Sequence, residues 1–297
     1  MNDDAGKPAG LRQSDVQRRF DRAAAQFDEA DFVHRHAAKG LYDRMSPMLV
    51  DVRTILDAGT ATGAATRELA GLYRGSRIVR LDRSLNMLER GKKRGSRFAR
   101  LSGASTVWEV QAEATALPLR PGSIDLVFAN MLMPWIDDLP AFLAEVGRVL
   151  RKDGLFVFSS LGPDSLLELR RAWGNVDDGE HVNTFIDMHD VGDALLHAGL
   201  REPVLDCDYL TVTYRNADAL IDDLSRSGAR NCLEGRRASL TGKNSMNRMK
   251  RALCSAGKDG ELPFRLELVY GHAWGGGPRQ PPGEFTVDIS RIRRRSQ

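Results

Sequence analysis

The stretch ILDAGTATGAATRELA, residues 55–70, decides the fold. Its apolar start reads as a buried strand ending near Asp57, its small residues from Gly59 to Gly63 as a tight turn, and its remainder as a helix. Strand, turn and helix in that order build many nucleotide sites, because the turn lets a ligand approach the backbone at a helix start. The Gly-Lys-Ser/Thr of a P-loop is absent, and Gly59, Ala61 and Gly63 do not have the GxGxxG spacing of a dinucleotide fingerprint. With no phosphate grip, the indicated ligand is a nucleoside without phosphates, and Asp57 is placed to counter an ammonium. The next strand ends in RLDRSLNML, residues 80–88, and an acid at that point, Asp82, is positioned to accept hydrogen bonds from both ribose hydroxyls.

Outward from this stretch the chain alternates. Strands are expected at 54–57, 77–82, 105–110, 123–129 and 154–160, with helices at 62–73, 84–93 and 139–150 between them. Short apolar strands separated by helices pair in parallel through right-handed crossovers. Helices at 164–173 and 188–198 follow, then strands at 203–213 and 263–274, which suggest an antiparallel pair closing the sheet. The expectation is an α/β fold: a doubly wound, mostly parallel seven-stranded, Rossmann-like sheet. Residues 1–50 form a lead-in of helices, with Val16, Phe20, Ala24 and Phe27 on one face. Residues 51–215 and 257–276 form the core, 216–256 a basic helical lid insertion, and 277–297 a basic tail expected to be disordered.

The 297 residues, 42% hydrophobic and 28% charged, are those of an ordinary soluble protein. No apolar run approaches the ~20 residues that span a bilayer, so no membrane association is expected. The acidic, polar start MNDDAGKPAG resembles neither a signal nor a transit peptide, which places the protein in the cytoplasm. Cys207, Cys232 and Cys254 have no metal-site or disulfide spacing, and His34 and His36 do not share a helix face, so no metal is expected. A net charge of +3 hides an uneven distribution. Between Ser225 and Cys254 lie Arg226, Arg230, Arg236, Arg237, Lys243, Arg248, Lys250 and Arg251 against one acid, Glu234. This segment is a candidate docking face for an acidic partner. Few aromatics interleave it, so a nucleic-acid stacking platform is not indicated.

The segments ILDAGTATG, LDRSLNMLERGKKR and EATALPLRPGSIDLVFANMLMPWIDDLPAFLAEVGRVLRKDGLFVF together resemble class I S-adenosylmethionine-dependent methyltransferases over roughly residues 54–160. The resemblance implies that Asp57, Gly59, Thr60 and Gly63 line the methionine end of the cofactor and that Asp82 holds its ribose. It also implies that Arg83 and Met87 flank the adenine, that Glu113 and Ala114 reach its edge, and that Asn130 sits near the transferring methyl. Three positions depart from the family pattern. Ala61 stands where glycine is usual, Thr60 where cysteine is usual, and Glu113 where aspartate is common. If the turn requires positive φ at 61, alanine costs on the order of 1 kcal/mol or distorts the loop.

The flanks FDRAAAQFDEAD, LGPDSLLELRRAW, HVNTFIDMHDVGDALLHAGL, LSRSGARNCLEGRR and YGHAW extend the similarity to the malonyl-acyl-carrier-protein O-methyltransferases of biotin synthesis. That family esterifies the free malonyl carboxylate, so the resemblance implies S-adenosylmethionine as cofactor and malonyl-acyl carrier protein as partner, docked on the basic 226–251 segment. It departs at Phe27, where tyrosine is frequent. No catalytic base is evident and none is needed, because a carboxylate of pKa about 3.5 is ionised at neutral pH. Trp135 and Phe27 are candidate walls of the reaction site and Arg230 a candidate grip on the carboxylate. Two rival resemblances remain, to complex I assembly factors and to other small-molecule or RNA methyltransferases. A non-catalytic protein that keeps the fold and binds a partner is a third reading, which Ala61 favours.

Overall fold

The computed structural model describes residues 10–48, 50–95, 105–236, 239, 241–257 and 260–276. The lead-in consists of α1 (Gln13–Ala23), α2 (Phe27–Ala30) and α3 (Phe32–Met45). The lead-in of helices expected from the sequence is present; Val16 and Phe20 fall in α1 and Phe27 in α2, because the chain turns between them, with Gln26 N donating to Ala23 O at 2.9 Å. There follow β1 (Thr54–Ala58), α4 (Ala64–Leu72), β2 (Arg77–Asp82), α5 (Leu85–Gly95), β3 (Thr106–Gln111), β4 (Ile124–Asn130), a 3-10 turn (Met133–Trp135), α6 (Leu139–Val149) and β5 (Leu150–Leu161). The rest comprises α7 (Leu167–Gly174), α8 (Met188–His197), β6 (Arg201–Tyr214), α9 (Ala217–Arg226), α10 (Lys243–Ala256) and β7 (Leu262–Trp274).

The seven strands form one sheet in the order β3-β2-β1-β4-β5-β7-β6. The first five run parallel, and β7 is antiparallel to both its neighbours. The expected doubly wound sheet with a terminal antiparallel pair is therefore present. The largest shift of a strand boundary is at β5, which starts at Leu150 rather than at 154 because Leu150 pairs with Ile124 before an irregularity that places Leu155 opposite Leu126.

Strand alternation divides the core between two faces. Leu56, Ala58, Val127, Ala129, Phe156 and Phe158 point toward α6 and α8, where Phe142, Val146, Val191 and Leu195 meet them. Ile55, Ile78, Leu126, Phe128, Leu155 and Val157 point the other way, onto Ala37, Leu41 and Met45 of α3 and Ala65 and Leu69 of α4. Phe128, Phe142, Phe156 and Phe158 are wholly buried, and each such ring contributes about 1.5–3 kcal/mol.

The 216–256 segment carries its own small core. Leu220 of α9 and Met249 and Leu253 of α10 pack on Leu169 and Trp173 of α7 and on Phe264 of β7. The loop beyond α9 reaches back to the start of the described chain. Arg12 N donates to Cys232 O at 2.8 Å, Glu234 N donates to Gly10 O at 2.8 Å, and Leu11 and Val16 bury against Cys232 and Leu233. Arg237 and the basic tail 277–297 lie outside the described residues. No helix among the described residues is long and apolar enough to cross a membrane.

Candidate active site

Reversal of strand order between β1 and β4 opens a crevice at their carboxyl ends, which is where ligands of doubly wound sheets bind. The loop after β1 is shaped by three residues with positive φ: Gly59 at 69°, Ala61 at 47° and Gly63 at 78°. A Cβ on Gly59 would stand 2.9 Å from Leu132 Cδ1, so the backbone there passes close to the opposite wall. Gly59 N and Thr60 N both donate to Leu81 O, at 2.8 and 3.1 Å, which fixes the loop to the end of β2. Below it, Asp57 is buried, and its Oδ2 accepts from the hydroxyls of Thr60, at 2.6 Å, and Thr66. Burial raises the Asp57 pKa, and the two hydroxyls act in the opposite direction.

Asp82 ends β2 beside this loop. Its Oδ2 accepts from Ala61 N at 2.9 Å and its Oδ1 from Ser84 N at 2.8 Å. Burial is the largest influence on its acidity and pushes the pKa up to about 6, against the pull of those two amides. A cavity of about 70 Å³ is bounded by Gly59, Ala61, Asp82, Ala114, Leu132 and Ile136, with Val16, Phe20 and Phe27 of the lead-in helices over it. Arg83 stretches across its rim, donating to Gln13 of α1 and pairing with Glu113 at 3.0 Å.

Asn130 closes the far end. Its Oδ1 accepts from Ser159 Oγ at 2.8 Å and its Nδ2 donates to His34 O at 3.0 Å, which joins α3 to the sheet. His34 packs against Phe27, with ring centroids 5.0 Å apart. Its surroundings desolvate it and lower its pKa to about 4, so the ring is neutral at neutral pH. Its Nδ1 is shut off from solvent and has no hydrogen-bond partner among the described residues.

Beyond His34 lies a second, larger cavity of about 500 Å³, beneath the 216–256 segment. His34, Met131 and Trp135 line both cavities, and so form the wall that the two share. Trp135 is held edge-on by Phe20 of α1 at 5.1 Å between centroids. Arg19, Trp173, Asn183, Tyr214 and Arg230 also line the larger space.

Of the residues expected from the sequence, Gly59, Asp82, Arg83, Glu113, Ala114, Asn130, Phe27 and Trp135 border the smaller cavity, and Arg230 borders the larger one. Asp57, Thr60, Gly63 and Met87 are not among its walls. The first two brace the loop from below, while a Cβ on Gly63 would stand 2.8 Å from the Arg80 guanidinium. Met87 is wholly buried beneath Phe27, Ala23 and Ala24. His34 and Arg19 were not foreseen. His34 stands seven residues after Phe27 but on the next helix, and their meeting depends on the turn at Asp31 that no short-range pattern announces.

The methyltransferase domain family matches residues 56–158. The malonyl-[acyl-carrier protein] O-methyltransferase of Gallionella capsiferriformans is 40% identical over 264 residues, covering 89% of this chain and 91% of its own length. The namesake from Halorhodospira halophila is 39% identical over 286 residues, covering 94% of this chain and 95% of its own. This chain belongs to that family. The solved structure of the YcgJ protein from Bacillus subtilis shares the fold, with a TM-score of 0.55 at 16% identity over 80% of this chain and 98% of that one.

As a member of this methyltransferase family the chain is an enzyme, and its methyl donor is S-adenosylmethionine. The smaller cavity suits that donor chemically. It offers the carboxylate of Asp82 for a vicinal diol, a second carboxylate, Glu113, that is paired with Arg83, and apolar walls at Leu132 and Ile136 for a flat ring. At about 70 Å³ it is smaller than the roughly 300 Å³ at which small-molecule sites begin.

Proposed function

We propose that the chain transfers the methyl group of S-adenosylmethionine to the free carboxylate of malonyl-acyl carrier protein, giving the methyl ester that primes pimeloyl and biotin synthesis. The observation that carries this reading is that His34, Met131 and Trp135 border both the crevice that holds Asp82 and a cavity of about 500 Å³, large enough for an acyl thioester and its arm. The names of the relatives supply the acceptor.

Bound S-adenosylmethionine supplies an electrophilic methyl group that an ionised carboxylate attacks without prior proton transfer. The protein's task is then alignment and exclusion of water. Asp82 orients the ribose end through a carboxylate fixed by the amides of Ala61 and Ser84. Asn130, locked by Ser159 and the His34 carbonyl, sets the position of the methyl end. Phe27 and Trp135 shield the reaction site from solvent, and the neutral His34 ring adds no charge that would compete for the carboxylate. Arg230 grips that carboxylate from the larger cavity.

The acyl carrier protein docks on the basic segment, with the 216–256 region acting as a lid. Several of its cations have intramolecular partners: Arg226 pairs with Glu29, Arg236 with Asp15 and Lys250 with Asp218. The docking face therefore reduces to the outer side of α10, where Lys243, Arg248 and Arg251 are exposed while Met249 and Leu253 face inward.

The test is incubation with malonyl-acyl carrier protein and isotopically methyl-labelled S-adenosylmethionine, read by intact mass. Addition of one labelled methyl, removable by mild base and lost in Asp82→Ala, is the expected result. A stable modification, or none, overturns the reading.

A further inference from the structure

Three arginines line the larger cavity; Arg236 is paired with Asp15, and the other two, Arg19 and Arg230, come from opposite ends of the sequence. Arg19 lies on α1, and its Nη2 donates to Asn231 O at 2.9 Å. Its Nε is shut off from solvent and has no hydrogen-bond partner among the described residues. Arg230 lies in the loop after α9, exposed while lining the cavity, with no side-chain hydrogen bond or ion pair to any described residue. Desolvation by the surrounding protein first, and then the neighbouring charge of Arg19, lower its pKa. Two acids also line this cavity, Asp223, which accepts from the Tyr214 hydroxyl at 2.7 Å, and Glu180, which is exposed; neither forms an ion pair with Arg19 or Arg230 among the described residues. Two like charges held near one another favour an anion that joins them.

We propose that Arg19 and Arg230 form a two-pronged clamp for the acceptor's carboxylate, and that engaging it fastens α1 over the cofactor cavity. The proposal rests on the acceptor reading above and goes beyond it, adding Arg19 and a coupling between the two cavities. The mechanical link is α1 itself. Arg19 reaches into the acceptor cavity, while Val16 and Phe20 on the same helix roof the cofactor cavity. A carboxylate bridging Arg19 and Arg230 draws α1 toward the loop that already holds its start through Arg12 and Cys232. Binding free energies are reciprocal, so an acceptor with a free carboxylate tightens the cofactor and the cofactor tightens the acceptor.

The reaction releases the clamp. A carboxylate oxygen forms the new O–CH3 bond, the sulfur keeps the electron pair of the broken S–CH3 bond, and no proton moves. The product ester carries no charge at that end, so neither guanidinium retains its charge-assisted bonds, and the roof loosens as the product forms.

The experiment measures the affinity of S-adenosylhomocysteine, which cannot transfer methyl, for the full chain alone, with malonyl-acyl carrier protein and with acetyl-acyl carrier protein. The malonyl form is expected to tighten binding at least about fivefold, and the acetyl form not at all. In Arg19→Met and in Arg230→Met, each shown by circular dichroism to melt as wild type, the ratio of affinities with and without malonyl-acyl carrier protein falls to one. The KM for malonyl-acyl carrier protein in those variants rises about 10- to 100-fold, the worth of a charge-assisted hydrogen bond, and Arg230→Lys recovers part of it. Wild-type coupling and KM in both variants, with methyl transfer intact, overturn the clamp and leave the acceptor reading standing. Tightening without methyl transfer overturns the acceptor reading and upholds the clamp. Absence of both overturns both.

Discussion

The backbone N–H of Ala61 donates to Asp82 Oδ2 at 2.9 Å, so the residue that departs from the expected glycine is one of the two that fix the Asp82 carboxylate. The departure leaves the loop intact. Ala61 adopts φ 47°, as glycine would, and its methyl group packs beside Phe27 and Met87.

That conformation carries a steric cost for any residue with a Cβ. Ala61→Gly is expected to stabilise the protein by up to about 1 kcal/mol, because relief of the left-handed backbone outweighs the lost methyl contact. Denaturant unfolding measures it. A loss of stability would mean that packing against Phe27 dominates.

Asp82 gives a pH signature. Its carboxyl is an acceptor for two hydroxyls only when ionised, and in the free enzyme it takes a proton near pH 6 rather than near 4. S-adenosylhomocysteine affinity is therefore expected to be full above about pH 7 and to fall as pH drops through about 6. The same shift has the opposite sense for folding. Between those pKa values the folded form holds the proton that the unfolded chain has released, so this group's contribution to stability rises as pH falls. Calorimetry from pH 5 to 8, with Asp82→Asn lacking the step, checks both.

The outer face of α10 separates carrier recognition from chemistry. Reversing Lys243, Arg248 and Arg251 together to glutamate is expected to raise KM for malonyl-acyl carrier protein at least tenfold, with weaker dependence on salt than in wild type. Turnover of malonyl-CoA, which presents no protein surface, is expected to change less than twofold. Equal losses on both substrates would remove α10 from the docking surface.

Trp135 borders both cavities and is braced by Phe20. Trp135→Ala opens the shared wall to water, and kcat is expected to fall on the order of 100-fold through misalignment and lost desolvation. Steady-state kinetics compared with S-adenosylhomocysteine affinity checks it, since a merely structural role would weaken binding in proportion.

What the sequence disclosed follows the range over which its signals act. The strand, turn and helix around Gly59 and Gly63, and the acid at the end of the next strand, are local, so this part of the fold was readable from a window of about 30 residues. The doubly wound sheet with its terminal antiparallel pair was readable from the alternation of strands and helices, whereas the order of its strands, which depends on long-range pairing, was not. Asp57 was harder to interpret. Its position at the strand end suggests a ligand contact, but the hydroxyls of Thr60 and Thr66 compete for the carboxylate and turn it under the loop. Met87 has helical spacing that suits either a ligand contact or a core, and the lead-in helices settle it by covering it. Arg19 was illegible, since its role depends on Asn231 and Arg230, which no short-range pattern connects to α1.

The junction of Leu11 and Arg12 with Cys232 and Leu233 sets an order of events during synthesis. Val16 of α1 is seated only once Cys232 and Leu233 have been made, whereas Phe20 and Ala23 of the same helix, with Ala24 at its end, have Phe27 and Met87 to pack against much sooner. One side of the helix therefore settles with the first strands, and the other waits for the loop beyond α9.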